Sequence, residues 1–306
     1  MYRLSFATQG DEYSYHALAA QLAAGEPVDV NPCDTFAQVV GESRANEPGL
    51  GVIAVNNTLS GVVENAAVQL VRCRPSELPP IVARVDLSVA LSLAGSREQD
   101  PASLDREGVV CLGQRPALDQ CKDFMAQFLP KVRLVESQES TRAIKDMVKA
   151  DSVDVLAIGP AFAAHGLGAA ILHQQINPAG HKTSFFVLQR DPRLQILPEV
   201  PTHHLPVTVT SVGFPEQPGE KEKVLAVASD MGLAMVRIID FAQGDFTRDT
   251  DLRKRGGGLF DVAGDPYDAA MYEFRRRVNQ IKTNDARIGP FTAKVLGSYY
   301  WENTAV

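Results

Sequence analysis

Asn56-Asn57-Thr58-Leu59-Ser60-Gly61 is the stretch of this sequence best supplied for chemistry on a small ligand. It follows the unbroken apolar run Gly51-Val52-Ile53-Ala54-Val55, which suits a strand buried on both faces of a parallel sheet. From Val62 the apolar residues Val62, Val63, Ala66, Ala67, Leu70 and Val71 recur at helical spacing. The order is strand, polar turn, helix. Ligands of open α/β sheets sit at such turns, and the amides of a helix N-terminus there favour an anion. The plain alternative is a βα turn capped by Ser60. Ser140 and Thr141 open another helix, where either residue also serves as an ordinary cap. Thr183 opens the run Thr183-Ser184-Phe185-Phe186-Val187-Leu188, where threonine also fits as a strand former. In that strand residues 182 and 184 share one face and residues 183 and 185 the other.

Redox and metal chemistry find no support. Cys33, Cys73, Cys111 and Cys121 lack CxxC spacing and read as reduced cytosolic thiols. His203 and His204 are adjacent, which does not place both on one helix face, so no metal site is expected.

These residues need elements to hold them. The chain has 306 residues, enough for two domains. Tyr2–Ala7 reads as a first strand, turned at Thr8-Gln9-Gly10, with a helix over Tyr13–Ala24 in which Ser14 is either a cap or a ligand contact. Val28–Val30 is a short strand, and Asp34 caps a helix to about Arg44. Val85, Leu87, Val89, Leu91 and Leu93 alternate with small or polar residues and predict one long strand. Strands follow at Val109–Leu112, Val132–Val135 and Val153–Ile158, with helices over Pro116–Leu129, from Ser140 to Lys149, and to His165 with a stop at Gly166. Asn177–Lys182 reads as a polar loop. The proline-rich segment 198–206 predicts a linker. The last hundred residues read βαββαβ, a ferredoxin-like order, with Arg253-Lys254-Arg255-Gly256-Gly257-Gly258 as an exposed turn between two of its strands.

Hydrophobic content of 45% and charged content of 22% fit a globular protein with a full core. The net charge of −7 argues against nucleic acid or an anionic membrane as partner. No run reaches the length of a transmembrane helix, and the first twenty residues lack the apolar core of a signal peptide, so a cytoplasmic protein is expected.

Taken in order, these motifs resemble the prephenate dehydratase family. The family's Glu-Asn-Ser-x-Glu-Gly turn corresponds to 56–61, keeping Asn57 and Gly61, with Thr58 conservative and both glutamates absent. Its Gly-Pro-x-Gly-Thr-Phe-Ser loop corresponds to 7–14, keeping Gly10 and Ser14. Its Ser-His-Pro-Gln-Ala-Leu-x-Gln-Cys signature keeps its helical half in Pro116-Ala117-Leu118-Asp119-Gln120-Cys121. Its Ser-Thr pair falls on Ser140-Thr141, and its Thr-Arg-Phe on Thr183-Ser184-Phe185, where the arginine is lost.

The resemblance implies two α/β lobes with a cleft, like bilobal periplasmic binding proteins, over about 1–197. Lobe 1 is expected over 1–84 and 168–197, and lobe 2 over 85–167. A linker at 198–206 and an ACT-like module over 207–306 follow. It further implies Thr183 as the catalytic hydroxyl. Asn57, Thr58, Gly61, Ser140, Thr141, Lys182, Ser184, Phe185 and Gly10 are the implied substrate contacts. Lys182 is the first candidate for the missing cation, with Arg115 and Arg142 behind it. The implied reaction is the joint loss of water and carbon dioxide from prephenate, without metal or cofactor, by a homodimer or tetramer. A non-aromatising prephenate decarboxylase and a non-catalytic ligand-binding paralogue remain open beside it. The module's phenylalanine loop has become Gly219-Glu220-Lys221-Glu222-Lys223-Val224-Leu225, so no phenylalanine sensing is expected.

Overall fold

The computed structural model describes residues 3–45, 49–72, 77–100, 103–191, 205–215, 219–241, 255–282 and 292–301. The chain begins with β1 (Ser5–Gln9), α1 (Tyr15–Ala24), β2 (Asp29–Cys33), α2 (Phe36–Ala45), β3 (Leu50–Asn57), β4 (Gly61–Val62), α3 (Glu64–Arg72) and β5 (Ile81–Ser88). A second group follows: β6 (Leu91–Gly95), β7 (Val110–Gln114), α4 (Arg115–Phe128), β8 (Arg133–Ser137), α5 (Ser140–Ala150), β9 (Val155–Pro160), α6 (Ala161–Gly166) and β10 (Ala170–His173). Then come β11 (Lys182–Gln189), β12 (Leu205–Pro215), α7 (Glu220–Asp230), β13 (Met235–Phe241), β14 (Arg255–Ala263), α8 (Ala269–Asn279) and β15 (Thr292–Trp301).

Two sheets result. The second in chain order runs β10-β6-β9-β7-β8. The other runs β13-β14-β12-β15-β5-β11-β3-β1-β2, with β4 on β3. The apolar run of β3 sits between β1, parallel, and β11, antiparallel. The sheet is therefore mixed, although β3 is buried from Leu50 to Val55 as a parallel centre strand would be.

The clear alternation at 85–93 is not one strand. It breaks at Val89 and Ala90, and β5 and β6 enter different sheets. The chain returns through the segment between β10 and β11. The crossings between sheets thus lie at 89–90 and 174–181, several residues later than the expected lobe limits of 84 and 168. Asn177 binds the two crossings together. Its Oδ1 accepts from Leu91 N at 2.7 Å and its Nδ2 donates to Val89 O at 2.8 Å. A buried side-chain amide here replaces the ladder bonds that the break in the strand removes.

Other local expectations also shift. Thr35, not Asp34, caps α2: Thr35 Oγ1 accepts from Gln38 N at 3.2 Å, and Gln38 Oε1 accepts from the amides of Asp34 and Thr35. This is a capping box. Gly61 and Val62 do not start a helix. They fold back on Asn57 and Asn56 as β4, and α3 begins at Glu64. Residues 255–258 are not a turn, because they open β14 between β12 and β13. α6 runs through Gly166 to a cap at Leu167, so that glycine is no stop. Its role is close approach: a Cβ there would lie 2.4 Å from the ring of Tyr13. Most of the expected linker lies outside the described residues; Leu205 and Pro206 already belong to β12.

The C-terminal strands β15-β12-β14-β13 take the ferredoxin-like order with α7 and α8. They continue the first sheet through β15 beside β5. Val207, Val209, Ile239, Leu259 and Leu296 share one buried cluster with Ile53, Phe185 and Phe186. No helix among the described residues is long and apolar enough to cross a membrane.

Candidate active site

A cleft of about 420 Å³ opens between the two sheets. From the first sheet it takes Gly10 and Ser14, and from β11 it takes Thr183 and Phe185. From the second it takes Gln114, Glu139, Ser140 and Thr141. Gly10 stands at φ +86°, and a Cβ there would lie 3.1 Å from Ser14 Cβ, so the turn admits only glycine without strain. Ser14 lines the cleft, and its Oγ accepts from Ala17 N as the cap of α1. An ion pair of Lys145 on α5 with Asp11 crosses from one side to the other.

Thr183 is held by a chain of side chains. Asn57 Nδ2 donates to Thr183 Oγ1 at 2.9 Å. Asn57 Oδ1 accepts from Leu59 N and Ser60 N, both at 3.0 Å. Two backbone donors on one atom fix that atom as the oxygen, so the nitrogen faces Thr183. His181 Nε2 lies 2.7 Å from the same oxygen and must therefore donate. His181 Nδ1 is left as the acceptor facing Asn177 Nδ2 at 3.4 Å. Since Thr183 Oγ1 already accepts from Asn57, its own proton is free for a ligand in the cleft.

His181 and Asn177 were expected only as a polar loop. They are 3% and 5% exposed and carry this chain. A histidine beside a strand-opening threonine has no distinctive sequence signal. Burial lowers the His181 pKa, which favours the neutral, singly donating form the chain requires.

The remaining expected contacts divide. Thr58 faces away from the lining group: its Oγ1 accepts from Lys182 N, and its N donates to Lys182 O, both at 2.9 Å. Gly61 pairs with Asn57 in β4. Ser184 is buried between Asn56 and Asp86 on the face opposite Thr183. Lys182 is exposed, on that same opposite face, and is not among the lining residues. Arg115 and Arg142 make exposed ion pairs with Asp119 and Asp146 along their own helices.

Among the described residues, the cleft lining contains no lysine or arginine, but it contains Asp34 and Glu139. What it offers an anion is backbone. The N-caps of α4 and α5, Gln114 and Glu139, both line the cleft, and neither side chain caps its helix. Glu139, not Ser140, is the cap of α5; Ser140 Oγ instead faces Gln114 Oε1 at 3.4 Å. Each uncapped end presents free N–H groups and about half a positive charge, though α4 offers one amide fewer because Pro116 has none. By contrast, no such end follows the Asn57 turn, because β4 intervenes before α3.

His16 also lines the cleft, edge-on to Phe185 at 5.1 Å between ring centres. Its Nε2 is buried without a hydrogen-bond partner, and burial holds its pKa down to about 4. The unfolded chain takes up this proton near pH 6.5, well before the folded chain does. The contribution of a neutral His16 to stability is complete above about pH 6.5 and is lost as pH falls toward 4, at most about 3 kcal/mol. His16→Gln is expected to lose several degrees less in melting temperature than the parent between pH 7.5 and 4.5, by calorimetry. Parallel losses would contradict it.

Among the described residues, no group of three His, Cys, Asp or Glu side chains is placed to hold a metal. Cys111 and Cys121 are buried thiols, raised in pKa by burial, and are not among the residues lining this cleft.

The sequence pattern of the prephenate dehydratase family matches residues 6–193. The chain is 23% identical over 238 residues to a bifunctional chorismate mutase/prephenate dehydratase of Buchnera aphidicola, covering 76% of this chain and 58% of that protein. Its fold is similar to a structure described as GqqA, a novel type of quorum quenching acylase. The TM-score is 0.72 at 21% identity, with 98% of each chain covered. It is similar to the same degree, at 17% identity, to a prephenate dehydratase of Arthrobacter aurescens in complex with L-Phe, over 97% of this chain and 90% of that one.

Proposed function

The chain belongs to the prephenate dehydratase family, a family of lyases, and on that premise we propose that it converts prephenate to phenylpyruvate in the cleft. The observation that carries this reading is the hydrogen bond from Asn57 Nδ2 to Thr183 Oγ1 at the cleft wall, backed by His181, which leaves the Thr183 hydroxyl to donate to a ligand. The ring carboxylate leaves as carbon dioxide, and its bonding pair enters the ring. The ring C–O bond breaks, its pair leaves with the oxygen, the Thr183 hydrogen bond stabilises the departing hydroxide, and a proton taken up from solvent completes the water. Aromatisation drives both cleavages, so a positioned donor suffices where a strong acid is absent. The N-terminal amides of α4 and α5 hold the carboxylates in place of an arginine. Neutral His16, beside Phe185, contacts the ring end without adding charge.

We assign residues 1–197 to the catalytic unit and 207–306 to an ACT-type module that does not sense phenylalanine, in a cytoplasmic homo-oligomer. The uncapped helix ends give a specific expectation for Lys182. Its side chain is off the cleft face, so Lys182→Ala is expected to change the affinity for prephenate by less than about twofold, measured by isothermal titration. A tenfold loss would return the role of cation to Lys182.

The experiment that tests the function is the ratio of carbon dioxide released to aromatic ring formed from prephenate. Equal amounts support the dehydratase. Carbon dioxide without aromatic product would mean a decarboxylase, and neither product would mean a binding paralogue.

A further inference from the structure

Arg237 stands on β13 in the C-terminal unit, yet its guanidinium reaches the end of β3 at the cleft. Arg237 Nη2 donates to Asn56 Oδ1 at 3.1 Å, and Asn56 Nδ2 donates to Gly61 O at 3.2 Å. This setting of the Asn56 amide gives both its atoms a partner; the reverse would oppose donor to donor and acceptor to acceptor. Gly61 is the β4 partner of Asn57. Asn57, one residue on from Asn56, faces the other side of the strand and donates to Thr183. A side chain of the C-terminal unit therefore grips the turn whose other face orients the cleft hydroxyl.

We infer that Arg237 is a positioning residue for Thr183, acting through Asn56, the 57–61 turn and Asn57. The grip is rigidly backed. β13 packs beside β4, and Ile239, two residues along β13, lies in the same buried cluster as Ile53 and Phe185. The C-terminal unit is on this account a working part of the catalytic wall. A shift of β13 changes turnover without any effector entering the cleft. The inference rests on the reading of Thr183 as the reacting donor, and its test separates the two.

Full-length Arg237→Ala, Arg237→Gln and Asn56→Ala are compared with the parent. The first readout is hydrogen exchange at Leu59 and Ser60, whose amides donate to Asn57 Oδ1. It needs no substrate. Exchange there is expected to rise about tenfold in Arg237→Ala, and less in Arg237→Gln, which keeps an N–H donor, with β7 unchanged. The second readout is turnover of prephenate. Arg237→Ala is expected to lower kcat about tenfold with KM within about twofold, and to cause no further loss in a Thr183→Val background. Unchanged exchange at Leu59 and Ser60, or an equal fractional loss in both backgrounds, would overturn the inference. If the parent leaves prephenate unchanged while the exchange result holds, the substrate reading fails and the grip of Arg237 stands. Should Arg237→Ala not melt cooperatively, Asn56→Ala cuts the same link from the other side and is judged by the same two readouts.

Discussion

Thr183→Val is expected to lower kcat about 100-fold or more while the protein still melts cooperatively, a few degrees at most below the parent because Asn57 Nδ2 loses its acceptor. Valine keeps the branched shape and the strand preference of threonine, so β11 and its pairing with β3 and β5 are retained. What disappears is one hydroxyl that accepts from Asn57 and presents its proton to the cleft. The ground-state complex makes little use of that proton. The transition state, with charge building on the departing oxygen, makes full use of it, so the loss falls on kcat rather than on KM. A variant that turned over at half the parent rate would remove Thr183 from the mechanism.

Asn57→Asp is expected to lower kcat/KM about 100- to 1000-fold, by a different route. The substitution is nearly isosteric. One carboxylate oxygen keeps the bonds from Leu59 N, Ser60 N and His181 Nε2. The other replaces the nitrogen that donates to Thr183 Oγ1. A carboxylate only accepts, so the Thr183 hydroxyl turns to donate to it, in a charge-assisted bond stronger than the one lost. The proton meant for the ligand is withdrawn, and a negative charge now faces an anionic substrate. Folding is not impaired, because every donor around position 57 keeps an acceptor. Steady-state kinetics beside a thermal melt would check this. Activity within about threefold of the parent would mean that the orientation of the Thr183 proton is immaterial.

Much of this was legible in the sequence, for definite reasons. The period of two placed Thr183 and Phe185 on one face of β11, and both line the cleft. Gly10, Ser140 and Thr141 sit at turns and helix starts, which local patterns mark, and they also line it. The C-terminal βαββαβ order followed from plain changes of periodicity. The failures were also physical. Val62 and Val63 fit a helical stripe, but a two-residue strand satisfies Asn56 and Asn57 better, and it displaces the helix start to Glu64. The strand through 85–93 had no residue that announced its break, because Asn177, some ninety positions away, supplies the missing bonds. Lys182 is the expected cation because it shares a strand face with Ser184, where the family arginine stands, but in the structure that face is turned away from the cleft lining. His16, His181 and Arg237 do their work through partners distant in sequence, which no local pattern encodes.

The most direct measurement is a proton NMR time course of prephenate with the parent protein and with Thr183→Val, side by side. The parent is expected to replace the ring and carbinol protons of prephenate by the aromatic protons of phenylpyruvate, while the variant leaves the substrate signals in place over the same interval. A product that keeps its carbinol proton, or aromatic signals that grow equally fast with both proteins, would contradict it.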